Sequence, residues 1–192
     1  DSLVYHSSPE KRNIKLLVAF DGSRYSGWQR QRNAATIQGT LEKCLEVMVD
    51  STVTLHGSGR TDAGVHALGM VANFHTDSTI PCKGFLKGLN SMLPKDIRIR
   101  DAVDVDSSFH SRYDAGGKCY RYDICTDKIQ YPTERLYCAH FPGPVDIDSI
   151  KHCLEIMLGT HDFSSFEGSG SRDDSRNNSR GAIRTIRHAD IT

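Results

Sequence analysis

Ile37, Leu41, Leu45 and Val49 recur at every fourth position, with Cys44 and Met48 widening the stripe. That spacing belongs to a helix with one buried face, and Thr36 supplies an oxygen to close its first turn. A helix this one-sided needs an apolar surface to lie on, and the flanking segments offer one. Ile14 to Phe20 is almost wholly apolar and reads as a central strand. The β-branched run Ser51 to Leu55 reads as a strand. So does the alternating run Leu68 to His75, with Leu68, Met70, Ala72 and Phe74 on one side and Val71, Asn73 and His75 on the other. A second helix is expected over Cys82 to Met92, with Phe85, Leu86, Leu89 and Met92 buried and Leu93-Pro94 as its end. Ile97 to Val103 alternates again as a strand.

The order is therefore β-α-β-β-α-β, an α+β pattern of the ferredoxin-like kind also used by many RNA-recognition modules. It predicts a lead-in over 1–12, a first domain over 13–104 and a second over 105–192. The second half reads as a strand over Lys118 to Ile124, an insert with a Tyr131-Pro132 turn, and a helix capped by Asp146 or Asp148. That helix buries Ile150, Leu154, Met157 and Leu158 and stops at Gly159; a strand follows over Ala182 to Ile191. Residues 167–180 are too polar to fold alone. A β-α-β unit is half of what the first domain contains, so the second domain is expected to be incomplete in this stretch of chain.

With 24 basic and 24 acidic residues in 192, the chain is not a strongly basic nucleic-acid binder overall. Residues 15–32, however, carry Lys15, Arg24, Arg30 and Arg32 against Asp21 alone, four positive and one negative, a local +3. Arginines can hold phosphate, and aromatics such as Tyr25 and Trp28 can stack on bases. Alternatively Trp28 folds inward as a plug for a surface loop. No apolar run is long enough to span a membrane. The six cysteines form no CxxC pair, which points to reduced thiols and a cytoplasmic setting.

The chemistry concentrates between the two middle strands. Gly57-Ser58-Gly59-Arg60-Thr61-Asp62-Ala63-Gly64-Val65-His66-Ala67 places three glycines, one carboxylate and a guanidinium together. It reads either as a hairpin turn or as a site loop presenting Asp62. It lacks the GK[ST] of a phosphate-binding loop, the helix that follows a dinucleotide fingerprint, and a serine nucleophile elbow. His56 and His66 alone do not complete a metal site. A carboxylate remains, with Arg60 near enough to favour its ionised, nucleophilic form. On the strand after residue 117, Tyr120 reads either as a core aromatic or as a ring facing the site.

Gly59 to Ala67 resembles the signature of the tRNA pseudouridine synthase A family. Phe20 to Gln31, Phe109-His110-Ser111-Arg112, Lys118 to Tyr122 and His161 to Phe166 resemble further family stretches, in family order. The resemblance implies that Asp62 attacks the target nucleoside and that Arg60 holds the flipped base out of its stem. It also implies that Tyr120 packs on that base, and His66, in the same signature, is grouped with the substrate contacts. It further implies isomerisation of uridine in the tRNA anticodon stem-loop, at tRNA positions 38 to 40, by a homodimer needing no cofactor. The family continues with a segment like Phe-x-x-His-x-Val-Arg, which this sequence does not contain. The alternative function is a non-catalytic RNA-binding module, or an inactive fragment of such an enzyme.

Overall fold

The computed structural model describes residues 11–167 and 181–192. Most of the expected lead-in and nearly all of the polar 167–180 stretch lie outside those residues. The chain divides into two compact units, residues 1–120 and 121–192.

In the first unit, strands β1 (Arg12–Phe20), β2 (His56–Gly57), β3 (Ala67–Thr76) and β4 (Ile97–Val105) form one sheet in the order β2-β3-β1-β4. Every neighbouring pair is antiparallel. Helices α1 (Ile37–Val49) and α2 (Cys82–Met92) provide the two crossovers, which makes this the ferredoxin-like arrangement. β1 is central because both its edges are paired. Its alternate residues Ile14, Leu16, Val18 and Phe20 enter the core with Leu41, Leu45, Phe74, Phe85 and Leu89. Phe74 and Phe85 meet edge to face at 5.4 Å. Each such fully buried side chain stabilises the fold by about 1.5–3 kcal/mol before chain entropy is counted. The Thr36 oxygen accepts from Gly39 N–H, as its capping position requires. Leu93, extended ahead of Pro94, ends α2.

One expectation needs correction here, and two further features lie outside the residue patterning. Ser51 to Leu55 is not a strand: Val53 and Leu55 are buried, but only His56–Gly57 joins the ladder. Burial alternates there because the segment crosses the core edge, not because it has a strand partner. The buried face of α1 is broader than its apolar stripe, since Gln38 and Glu42 are also buried. The stretch after β4 is no free linker. Asn13 Nδ2 donates to the carbonyls of Asp106 (2.9 Å) and Phe109 (2.8 Å), and Asn73 Nδ2 donates to Asn13 Oδ1 (3.0 Å). Ser111 N–H donates to Asn73 Oδ1 (2.9 Å) and its hydroxyl to the His56 carbonyl (2.6 Å). All three side-chain owners are nearly fully buried, and each polar atom in the chain of bonds has a partner. The segment is thus clamped onto the sheet face opposite the helices.

The second unit adds strands β5 (Ile124–Cys125) and β6 (Ala139–His140), paired in parallel, helix α3 (Ile147–Met157), and strands β7 (Gly159–Asp162) and β8 (Ile183–Ile186), paired antiparallel. The strand expected over Lys118 to Ile124 pairs only at its end. Residues 118–123 run without a ladder partner, so alternation alone did not make a strand there. The strand expected over Ala182 to Ile191 is likewise only β8. Asp146 caps α3 by accepting from Ser149 N–H. Its expected buried face is only half covered at Ile150, Leu154 and Met157, and Leu158 is exposed. Among the described residues of this unit only Ala182 is fully buried.

Candidate functional site

The loop from Gly57 to Ala67 connects the ends of β2 and β3 and lies against the chain that leaves β1. Two backbone bonds join the two segments: Trp28 N–H donates to Thr61 O (3.0 Å) and Gly64 N–H to Tyr25 O (3.3 Å). They can approach this closely because two positions lack side chains. A β-carbon on Gly22 would fall 2.0 Å from the Val65 carbonyl oxygen, and one on Gly27 would fall 2.4 Å from that of Thr61. Gly27 also adopts a positive φ of 83°. The β1 side is fixed in turn to α1, whose first amides donate outward: Ile37 N–H to Gly27 O (3.2 Å) and Gln38 N–H to Trp28 O (3.0 Å). Helix-end donors with no intrahelical partner thereby hold the loop that holds Thr61.

Trp28 is a plug, 2% exposed and 6.0 Å from the Phe20 ring. The arginines around it stay at the surface, while the indole itself is not open to stack on a base. Arg24 donates to Asp96 Oδ2 at 2.6 Å, and Tyr25 OH donates to Asp96 Oδ1 at 2.8 Å. Burial, reinforced by the Asp96 hydrogen bond, pushes the Tyr25 phenol up to about 12. Arg30 Nη1 sits 3.1 Å from Oε2 of the buried Glu42, close enough to pair charge though not aligned as a hydrogen bond. Glu42 Oε1 accepts from Gln38 Nε2 and from Leu55 N–H, both at 3.1 Å. The buried carboxylate therefore braces the chain entering the site loop. Arg32 lines a groove of about 650 Å³ with Arg30, Thr36, Lys43 and Glu46.

Asp62 is exposed at the crest of the loop, and its carbonyl accepts from Val65 N–H at 3.2 Å. Arg60 is exposed too, and among the described residues no ion pair within 4.0 Å joins it to Asp62. His66 Nδ1 lies 3.2 Å from the Gly22 amide and 3.1 Å from Asp21 Oδ1. Neutral at Nδ1 it accepts from Gly22; protonated there it donates to Asp21. Either way His66 fastens the end of the loop to the turn after β1. Tyr120, at the end of the first unit, is 68% exposed and so is not a core aromatic. Two groups near the loop had no signal in residue patterning. The Thr61 hydroxyl is buried without a hydrogen-bond partner. Lys118 places its ammonium against Gly59, where a β-carbon would be 2.3 Å from Nζ.

Residues 16–114, which hold the sheet and this loop, match a family described as tRNA pseudouridine synthase. The chain belongs to that family. It is 51% identical over 178 residues to tRNA pseudouridine synthase A 1 of Desulfotalea psychrophila, covering 93% of this chain and 71% of that protein. It is 46% identical over 180 residues to tRNA pseudouridine synthase A of Clostridium kluyveri, covering 94% and 71%. For tRNA pseudouridine synthase A of a Thermoanaerobacter species the identity is 47% over 160 residues, covering 83% and 66%. The chain thus spans about two thirds of the length of these pseudouridine synthases. Such synthases are isomerases that modify RNA. Among the described residues no helix is long and apolar enough to cross a membrane, and no cluster of three or more His, Cys, Asp or Glu side chains suits a metal ion.

Proposed function

We propose that the protein carrying this chain converts uridine to pseudouridine in the anticodon stem-loop of tRNA, at tRNA positions 38 to 40, with Asp62 as nucleophile. The observation that carries the reading is the exposed Asp62 carboxylate on a loop whose backbone is fixed from both sides by the 21–28 segment. A nucleophile gains from being held in place while its reacting oxygens remain open to substrate. The reaction breaks N1–C1′ and forms C5–C1′. The proton on C5 is lost and N1 gains one, so atoms and charge balance without redox chemistry or hydrolysis. Asp62 attacks the target nucleoside, and a pocket must retain the detached uracil while it turns.

A base within a stem is out of reach until it swings out. Arg60, two residues before Asp62 and exposed, is suited to take the vacated place in the stem. The exposed ring of Tyr120 is suited to pack on the extruded base. His66, tied to Asp21 and Gly22, is the further substrate contact at the loop's far end. Arg24, Arg30 and Arg32 supply phosphate contacts along the approach. The reading includes a cytoplasmic homodimer that needs no cofactor.

The test is release of tritium from tRNA labelled at uridine C5, using the full natural protein. Asp62→Asn should abolish release while tRNA binding persists. Ordinary turnover by that variant would remove Asp62 from the mechanism, and absence of release by the unaltered protein would favour a binding module.

A further inference from the structure

Asp96 lies just ahead of β4, beside the end of β1, and holds the chain that leaves β1 by its backbone and by both carboxylate oxygens. Its carbonyl accepts from Asp21 N–H at 2.8 Å, one step beyond the last rung of the β1–β4 ladder, where Phe20 stands opposite Ile97. Oδ1 accepts from Tyr25 OH at 2.8 Å, and Oδ2 accepts from Arg24 Nη2 at 2.6 Å. The Asp96 side chain is only 11% exposed, and Tyr25 packs against the hydrophobic core. A hydroxyl bonded to a carboxylate with so little access to water is held more firmly than one at the surface. Both ends of the Tyr25–Asp96 bond are thus supported, the carboxylate by the end of the sheet and the ring by the core.

Tyr25 in turn holds the tight turn that begins at Asp62. Val65 N–H donates to the Asp62 carbonyl at 3.2 Å, which closes Asp62-Ala63-Gly64-Val65. Gly64 stands third in it with a φ of 79°, the left-handed value that this position takes in a type II turn. Its amide is not used within the turn and donates outward to the Tyr25 carbonyl at 3.3 Å. The other fastenings, Trp28 N–H on the Thr61 carbonyl and His66 against Gly22, lie on either side of the turn. We propose that Asp96, acting through Tyr25, is a positioning residue that aims the Asp62 turn at the incoming nucleoside. Neither Asp96 nor the Tyr25 ring needs to touch RNA or the Asp62 carboxylate to do so. The inference rests on the reading of Asp62 as nucleophile and adds the pair that sets its place.

The experiment uses the full natural protein, C5-tritiated tRNA and amide hydrogen exchange at Gly64, with Tyr25→Phe, Asp96→Ala, Asp96→Asn and the Tyr25→Phe/Asp96→Ala double variant. Tyr25→Phe keeps the ring in the core, and Asp96→Ala keeps the backbone bond to Asp21, so each removes the side-chain bond alone. A misplacement of about 1 Å at a reacting group can cost about a hundredfold in rate. Each variant should therefore lower kcat by about ten- to a hundredfold with KM changed by less than about twofold, and should speed exchange of the Gly64 amide. In the double variant the two losses should not add. Asp96→Asn, whose amide oxygen can still accept from Tyr25, should recover most of kcat although it gives up the charge that holds Arg24. An unchanged kcat in Tyr25→Phe, or an effect on KM alone, overturns the proposal, as does full additivity in the double variant. Tyr25→Phe and Asp96→Asn decide the matter even if Asp96→Ala fails to fold. A parent protein that releases no tritium would refute the enzymatic reading; faster Gly64 exchange in Tyr25→Phe would then still support the fixing of the turn, and unchanged exchange would overturn it. An active protein whose kcat and Gly64 exchange ignore Tyr25→Phe would keep the enzyme and lose the positioning pair.

Discussion

The indole of Trp28 occupies the space beside Gly57 so fully that a β-carbon on that glycine would lie 2.6 Å from Cε2 and 2.7 Å from Nε1. The ring is aromatic, buried and packed near Phe20, so it cannot swing aside as a flexible chain end would. Gly57→Ala is therefore an overpacking substitution and should cost about 1–3 kcal/mol of stability. The urea midpoint of the variant measures it. A midpoint equal to that of the parent would mean the indole yields more easily than its packing indicates.

Arg30 and Glu42 make a second prediction. Glu42 is 3% exposed and Arg30 63% exposed, so the arginine closes a buried charge from the solvent side. Arg30→Met should destabilise by about 1–2 kcal/mol, less than the roughly 3–5 typical of a fully buried pair. Adding Glu42→Gln should restore part of the loss, because the remaining amide can be buried without charge. Denaturant titrations of the two variants decide this; a further loss in the double variant would show that the Glu42 bonds to Gln38 and Leu55 matter more than its charge.

The three arginines before α1 are not equivalent toward RNA. Arg24 is held by Asp96 and Arg30 by Glu42, and RNA phosphates must compete with those carboxylates. Replacing Arg24, Arg30 and Arg32 by Gln should flatten the salt dependence of tRNA binding. The single variant Arg32→Gln should account for the largest share, about 0.7–0.9 in slope. Filter-binding at several salt concentrations gives the slopes, and equal contributions from all three would contradict the ranking.

His56 makes stability depend on pH. Burial, followed by the neighbouring His110 and His75, lowers its proton affinity, while Glu42 opposes them weakly. The His56 and His110 rings are 4.8 Å apart. A folded-state value below the unfolded 6.5 means the unfolded chain takes up a proton first. This contribution is full above about pH 6.5 and declines as pH falls through that value toward the folded one. The urea midpoint should therefore drop between pH 7 and pH 5, and His110→Gln should lessen the drop. A variant with an unaltered pH profile would exclude the histidine pair as its source.

Periodicity located α1 and α2 to the residue because a helix carries its own hydrogen bonds and needs only one apolar stripe. The same reasoning failed at Ser51 to Leu55 and Lys118 to Tyr122, where a strand also needs a neighbour to pair with. The site loop was legible as a run of glycines around one carboxylate, and Trp28 as an anchor among arginines. The remainder was not: Asn13, Asn73, Gln38 and Glu42 are polar types that ordinarily face water. They are buried here because they satisfy one another and nearby backbone, a fact of tertiary arrangement with no local pattern. Lys118 against Gly59 belongs to the same class.

The amide of Gly22 and the ring of His66 meet although 44 positions separate them. Contacts of that span form only after the intervening chain has closed a large loop, at an entropic cost that local structure does not repay. The loop that carries Asp62 thus takes its shape only where β1 and β3 are in register. A partly folded chain already contains every residue of the loop but not its shape, which only the completed sheet supplies.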